Sequence, residues 1–332
     1  FNQKPVMSVI GRNDFERLVS EGIISDETIV FNTLINTNLE WEDTTKFRPT
    51  DYSWIEPNMT IGDVLQPYQA DIRSTKADIE YNGVETILEE GMVLAKFTQK
   101  DLDKFVPTQM YNFRQLEKDI VAQDIYKMVI NKMIVPKLME NINSSAFNGT
   151  GEGVAVAGTP GAMLRTFTGY NKRFTTAIDD GFIVPTPTGA VNPSNVVAKV
   201  KLMCQSIPSW LRFKKGVVKM SKTLRQAYIE SMVTSAGYTY TPQLNEDKYA
   251  IVPGYNKTIV GMDSMEGSTR IIIELDEFES LNIPVDANMP AIPSLRVTGG
   301  QGSDLFQMYV YAPMRRAYGI CYYETIFVND QV

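Results

Sequence analysis

From Asn112 to Phe147 the apolar residues fall into a helical period, while the segments on either side read as strands and loops. A chain that changes period by segment in this way cannot be all-β, and it does not alternate strand and helix as a doubly wound sheet would. Asn112 is placed to cap this helix, with Gln115 reaching back from the third position. Phe113, Leu116, Ile120, Val121, Ile125 and Met128 then form one apolar stripe. From Met128 to Val135 the apolar residues spread around the helix, so that half is expected to be covered on most faces. Pro136 removes a backbone donor and is expected to kink or split the element. A strand through "YKMVINKMIV" stays open as an alternative.

Before the helix, the first sixty residues mix polar segments with aromatic anchors: Phe31, Trp41, Phe47, Tyr52 and Trp54. They suit either an extended arm lying on other surfaces or an irregular first layer of a domain. In "KADIEYNGVETIL" the dipeptide Asn82-Gly83 sits between alternating residues, which predicts a two-residue hairpin turn with positive φ at both positions. That hairpin would set Glu80 across from Glu85 beside Tyr81 and Val84. A second turn is expected at Glu89-Glu90-Gly91, before a strand through "MVLAKF". The acidic rim of Asp78, Glu80, Glu85, Glu89 and Glu90 argues against burial within the chain's own subunit.

After the helix comes the glycine-rich stretch "FNGTGEGVAVAGTPG". A phosphate cradle would need a lysine after the last glycine and a helix behind it, but Thr159 and Pro160 stand there. Gly149, Gly151 and Gly153 therefore read as a connector. A loop-rich passage follows, to about residue 190. Asn192 as cap and Pro193 at the first position then open a helix with Val196, Val200, Met203, Cys204 and Ile207 on one face, stopped by Pro208. "GVVKM" predicts a buried strand, "SKTLRQAYIESM" a helix, and the last third is strand-rich through "KTIVGMDSM", "TRIIIEL", "FQMYVYA" and "GICYYETIFV". The fold class expected is α+β.

The composition removes most catalytic chemistry. The 332 residues contain no histidine, so the commonest general base and zinc ligand are absent, and with them every Ser-His or Cys-His pair. Cys204 and Cys321 are the only cysteines and both lie in apolar surroundings, as small hydrophobes do. A net charge of -7 argues against tight wrapping of nucleic acid. No apolar run is long enough for a membrane span, and the expectation is a soluble chain with no membrane partner. The remaining material for an enzyme is the carboxylate run Glu274, Asp276, Glu277 and Glu279, which could hold magnesium, although such runs are usually solvated faces. No catalytic, cofactor-binding or metal residue is assigned, and no cofactor is expected.

The order of these elements resembles the major capsid protein of tailed bacteriophages, the Hong Kong ninety-seven fold. Residues 68–105 resemble its projecting E-loop hairpin, and Asn112 to Phe147 its spine helix, ending in an apolar residue before the glycine turn "AFNGTGEG". "GVVKMSKTLRQAYIESM" is similar to the strand and helix of the axial domain. "IVPGYNKTIVGMDSM" and the closing "LFQMYVYAPMRRAYGICYYETIFV" are similar to later strands of the fold. The resemblance implies an N-terminal arm over 1–60, an E-loop over 61–106, a peripheral domain over 107–190, an axial domain over 191–300, and peripheral strands over 301–332. It implies a structural subunit, not an enzyme, that self-assembles into pentamers and hexamers of an icosahedral shell enclosing double-stranded DNA. Portal, scaffold or protease and decoration proteins would be partners, genomic DNA would lie on the inner face, and assembly would take place in the host cytoplasm. Encapsulins, bacterial compartments of the same fold, are the alternative. Inter-subunit contacts are expected from Asp78, Glu80, Tyr81, Asn82, Gly83 and Glu85, with Arg315 and Arg316 as the basic partners. Some relatives cross-link an E-loop lysine. Lys76, Lys96 and Lys100 lie in that region, where lysines also serve to blunt exposed edges.

Overall fold

The computed structural model describes residues 40–41, 45–47, 53–56, 58–61, 79–98, 134–153, 156, 159–235, 250–278, 280–284, 294–298 and 307–331. In chain order its strands are β1 (Thr45–Phe47), β2 (Ser53–Glu56), β3 (Met59–Ile61), β4 (Ile79–Tyr81), β5 (Val84–Ile87) and β6 (Glu89–Thr98). Helices α1 (Val135–Asn148), α2 (Tyr170–Asp179), α3 (Val196–Ser206) and α4 (Ser209–Arg212) follow, then β7 (Gly216–Ser221) and α5 (Lys222–Ser235). The rest is β8 (Ile251–Val252), β9 (Lys257–Met262), β10 (Ile272–Leu275), β11 (Leu281–Pro284), β12 (Ser294–Thr298), β13 (Gln307–Arg316), β14 (Gly319–Ile320) and β15 (Ile326–Val328). Helix and sheet are mixed by segment, as an α+β chain requires.

The chain forms two compact units. One comprises Glu40–Glu89, Asn143–Ala287 and Arg316–Val332. At its centre is a five-stranded sheet in the order β15-β10-β7-β9-β8. β7 and β9 run parallel and are joined through α5, so a single βαβ crossover sits inside a sheet whose other pairs are antiparallel. The sequence accounts for this sheet directly. Ile271, Ile273 and Leu275 alternate toward one face, where they meet Val218, Met220 and Ile259 under α3 and α5. α3 presents Val196, Val200, Met203 and Cys204 to that core, and Ile207 continues the stripe. Its entry departs from the expectation: the helix begins at Val196 with Asn195 at the cap position, and Pro193 lies in the turn before it, where Asn192 Oδ1 accepts from the N–H groups of Ser194 and Asn195.

The opposite face of the sheet holds a buried ion pair, Lys219 Nζ to Glu274 Oε2 at 2.7 Å, with the ammonium 5.0 Å from the Trp41 ring centroid. Trp41 is anchored by its Nε1–H to Ser264 Oγ at 3.1 Å. Around it gather Phe147 from the end of α1 and Tyr170 and Phe174 from α2, with Tyr318 against Tyr170. Residues 40–41 thus belong to this unit's own aromatic core. A three-stranded sheet, β1-β11-β14, completes the unit beside β2 to β5.

The other unit comprises Phe1–Leu39, Glu90–Ile142 and Asn288–Arg315, with a three-stranded sheet β12-β13-β6. β13 pairs with β12 over Gln307 to Tyr311, and Pro313 falls beyond that paired stretch, where its missing donor breaks no bond to β12.

Four further expectations need correction. Asn82-Gly83 does not close a hairpin: β4 pairs with β3 and β5 with β2, and neither residue has a positive φ. The Asn82 N–H goes instead to Asn58 O at 2.8 Å, because residues 53–61 provide a longer ladder than a two-residue turn could. Glu80 therefore lies across from Thr60 and Glu85 across from Ile55. Second, Glu89-Glu90-Gly91 is continuous strand within β6, not a turn. Third, the loop-rich passage contains α2, which buries Tyr170, Phe174 and Ala177 at helical spacing between Gly169 and Gly181. Fourth, the acids of residues 274–277 are not one solvated face, since Glu274 is buried on Lys219. Of the long predicted helix, α1 is described, with Pro136 as its second residue. Its first part, from Asn112, lies outside the described residues.

Candidate assembly surface

β2–β3 and β5–β4 form one antiparallel ribbon. Ser53 pairs with Ile87, Glu56 with Val84, Met59 with Tyr81 and Ile61 with Ile79, a constant register across the break at residues 57–58 and 82–83. With a period of two, one face carries Ser53, Ile55, Glu85, Ile87 and Tyr81, and the other Trp54, Glu56, Asn58, Val84 and Thr86. Polar and apolar residues share both faces, and burial sets them apart. Ile55, Tyr81 and Ile87 are 56%, 58% and 57% exposed, whereas Glu56 and Thr86 are 1% exposed. Ile55 and Tyr81 close over Gly83, whose absent Cβ would lie 2.6 Å from Ile55 Cγ2 and 2.9 Å from Tyr81 Cε1. The outer face therefore sets the apolar side chains of Ile55, Tyr81 and Ile87 beside the exposed Glu85.

The buried face is fastened by polar contacts. Thr86 Oγ1–H donates to Glu56 Oε1 at 2.7 Å, and the Tyr323 N–H donates to Asn58 Oδ1 at 3.2 Å. Cys321 Sγ lies 4.0 Å from Glu56 Oε2 and receives Asn282 Nδ2–H at 2.8 Å. Burial pushes the Glu56 carboxyl above the ordinary carboxylate range, opposed by its Thr86 hydrogen bond and the Arg173 charge. Burial likewise pushes the Cys321 thiol and the Tyr323 hydroxyl each up to about 12, so neither is a reactive anion at neutral pH.

Tyr81, Gly83 and Glu85 come together on the outer face. Asn82 is exposed beside them, Glu80 sits on β4, and Asp78 lies outside the described residues. The acidic rim is broken up: Glu89 accepts from both the N–H and the Oγ–H of Thr168, and Glu90 pairs with Arg315 at 2.5 Å. Arg315 and Arg316 are not free basic contacts. Arg315 is held by Glu90 of its own unit, and Arg316 is 7% exposed. Lys96 lies in β6, while Lys76 and Lys100 are outside the described residues.

At the connector, Gly149 and Gly169 meet back to back, with the Gly169 N–H donating to Gly149 O at 2.9 Å. A Cβ on Gly149 would stand 2.1 Å from Phe167 O, and Gly151 has φ +64°. The stretch is thus shaped by close backbone approach and one left-handed residue. Asp276 and Glu277 pair with Lys215 and Lys214, Glu279 lies outside the described residues, and among the described residues no three acids or cysteines converge on a metal position. What sequence reasoning missed was the role of Ile55 and Ile87. Their signal was present as apolar residues alternating with Glu56 and Thr86, but it does not say which face is outside.

The fold is similar to that of a chain of the satellite phage P4 procapsid, with a TM-score of 0.59 at 11% identity over 95% of this chain and 96% of that one. This is the Hong Kong ninety-seven fold. Two further structures are similar over most of their length. One is the capsid of an empty gene-transfer-agent (GTA) particle (TM-score 0.47, 13% identity, 87% of each chain). The other is the SrpI encapsulin of Synechococcus elongatus (TM-score 0.45, 12% identity, 86% of this chain and 84% of that one). No family model matches the sequence, and no curated protein does.

Proposed function

We propose that this chain is the structural subunit of an icosahedral phage shell, assembling with copies of itself into pentamers and hexamers around double-stranded DNA. The observation that carries the reading is the exposed apolar side chains of the ribbon. A subunit that hides a carboxylate while exposing Ile55, Tyr81 and Ile87 gains from association and not from remaining alone. Within the ribbon, β4 and β5 belong to the E-loop span and β2 to the arm, with Tyr81, Gly83 and Glu85 meeting a neighbouring copy and the glycine connector joining the spine helix to the passage that follows. The role is assembly. Scaffold, protease, portal and decoration proteins belong to the same reading, as does a virion location.

The test is a pair of substitutions on the outer face, Tyr81→Ser with Ile87→Ser. The expected outcome is a subunit that melts within a few degrees of the parent, since both side chains are solvent-exposed, yet forms no closed shells by electron microscopy where the parent does. Normal shells from the variant would overturn the ribbon's role. Parent protein that stays monomeric with its scaffold present would overturn the shell reading itself. Nuclease-protected DNA inside native particles separates a genome shell from a protein compartment.

A further inference from the structure

Glu56 ends β2 in the interior, and hydrogen bonds to its carboxyl come from the Thr86 hydroxyl at 2.7 Å, the Ile320 N–H and, weakly at 4.0 Å, the Cys321 thiol. Facing it from β11 is Asn282, 3% exposed. Asn282 Nδ2 is turned to Cys321 Sγ at 2.8 Å, and its carbonyl Oδ1 has no hydrogen-bond partner among the described residues. Both oxygens flank the same point: a Cβ built on Gly319 would lie 1.7 Å from Glu56 Oε1 and 2.3 Å from Asn282 Oδ1. Two buried acceptors face each other there. If both lack a proton the contact is repulsive, and the orphaned carbonyl carries its full desolvation penalty. One proton on Glu56 turns that repulsion into a hydrogen bond and satisfies Asn282.

We propose that Glu56 is held protonated and donates to Asn282 Oδ1, forming a proton-dependent latch between the ribbon and the β11–β14 sheet. The charged and titratable groups around it are few. Arg173 reaches the carboxyl from α2 and favours the ionised form, but its buried Nε has no hydrogen-bond partner among the described residues. Cys321 and Tyr323 face Glu56 from the segment after β14 as neutral groups, and Asp180, beyond the end of α2, adds a negative charge near Tyr323. Burial outweighs Arg173 at the carboxyl, in keeping with the geometry. The sign follows. A carboxyl raised in the folded state contributes stability that is full below its unfolded value near 4.5 and is lost as pH rises through the folded value. Raising the pH therefore loosens the ribbon base and lowering it tightens the base.

The experiment compares the full-length subunit with Glu56→Gln across pH 4 to pH 9. Glutamine keeps an N–H donor for Asn282 Oδ1 and cannot ionise. The expected result is equal Tm at the acid end, with the variant's Tm rising above the parent's as pH increases. A variant whose Tm falls below the parent's, by a margin that grows with pH, would show that the ionised carboxylate is the working form, with the Asn282 amide turned to donate to it. A gap that does not change with pH overturns the latch as well. If Glu56→Gln does not fold, the parent and Asn282→Ala decide. Infrared difference spectra at neutral pH should lose or shift the stretch of one protonated carboxyl in that variant, and a parent with no such band would end the proposal.

Discussion

Gly319 has no room for a methyl group. Its missing Cβ is where Glu56 Oε1 and Asn282 Oδ1 approach, at 1.7 and 2.3 Å, and its φ is not in the left-handed region, so the demand is for space and not for conformation. Gly319→Ala should lower stability by about 1–3 kcal/mol, the usual cost of overpacking. Urea unfolding checks this, and an unchanged midpoint would mean that the carboxyl moves aside freely. Lys219 and Glu274 show the same economy on the central sheet. Two charges are hidden together, the pair lies diagonally across β7 and β10, and the remaining carboxylate oxygen accepts the Leu281 N–H at 3.1 Å. At this scale the sequence reading was weakest. In both cases the residue's environment is made by partners far along the chain, which no local run of letters contains.

Among elements, legibility followed the range of the interaction that makes each one. α3 was readable because its apolar face and the Pro208 that follows it lie within one short window, and its core residues are those expected from Val196 to Ile207. β7, α5, β9 and β10 were readable because each is a strong periodic run. The Asn82-Gly83 signal misled because a local turn preference competed with a ladder from residues 53–61 and lost. α2 was hidden by the glycines at its ends, although Tyr170, Phe174 and Ala177 already had the right spacing. The last strand gives a prediction at this scale. Just after β15, Asp330 Oδ1 accepts from Gln331 Nε2 at 3.0 Å, from Thr188 N and Oγ1 at 3.0 and 2.9 Å, and from Gly189 N at 3.2 Å. The Gln331 bond, with Thr188 and Gly189, holds its carboxyl at about 2, below the ordinary 3.8. A depressed carboxyl stabilises above its unfolded value and loses that contribution as pH falls through the folded one. Asp330→Asn should therefore flatten the fall in Tm between about pH 4 and about pH 2. An acid limb identical to the parent's would remove Asp330 from the account.

For the whole molecule, the ribbon is not the only place where apolar side chains are exposed. Trp210 and Phe213 flank the end of α4 at 64% and 63% exposure, and Phe213 stacks on Tyr255 with ring centroids 6.2 Å apart. If shells form as proposed, Trp210→Ser with Phe213→Ser should leave urea unfolding of the subunit nearly unchanged while reducing shell yield, read by sedimentation. Full yield would assign the pair to the subunit's own surface. The sheet β1-β11-β14 carries a different consequence. It joins residues 45–47 to 281–284 and 319–320, and β15 at 326–328 closes one edge of the sheet built around 216–221. Pairings so distant must meet a large loop-closure entropy before any contact rewards it, which makes folding slow and leaves it unfinished while the chain is still being synthesised. The ribbon's carboxyl finds its place against Gly319 and Asn282 only at that late stage. A nascent chain thus lacks the fastening of the surface it would use to associate, and its outer face acquires a fixed shape only once the body beneath it is complete.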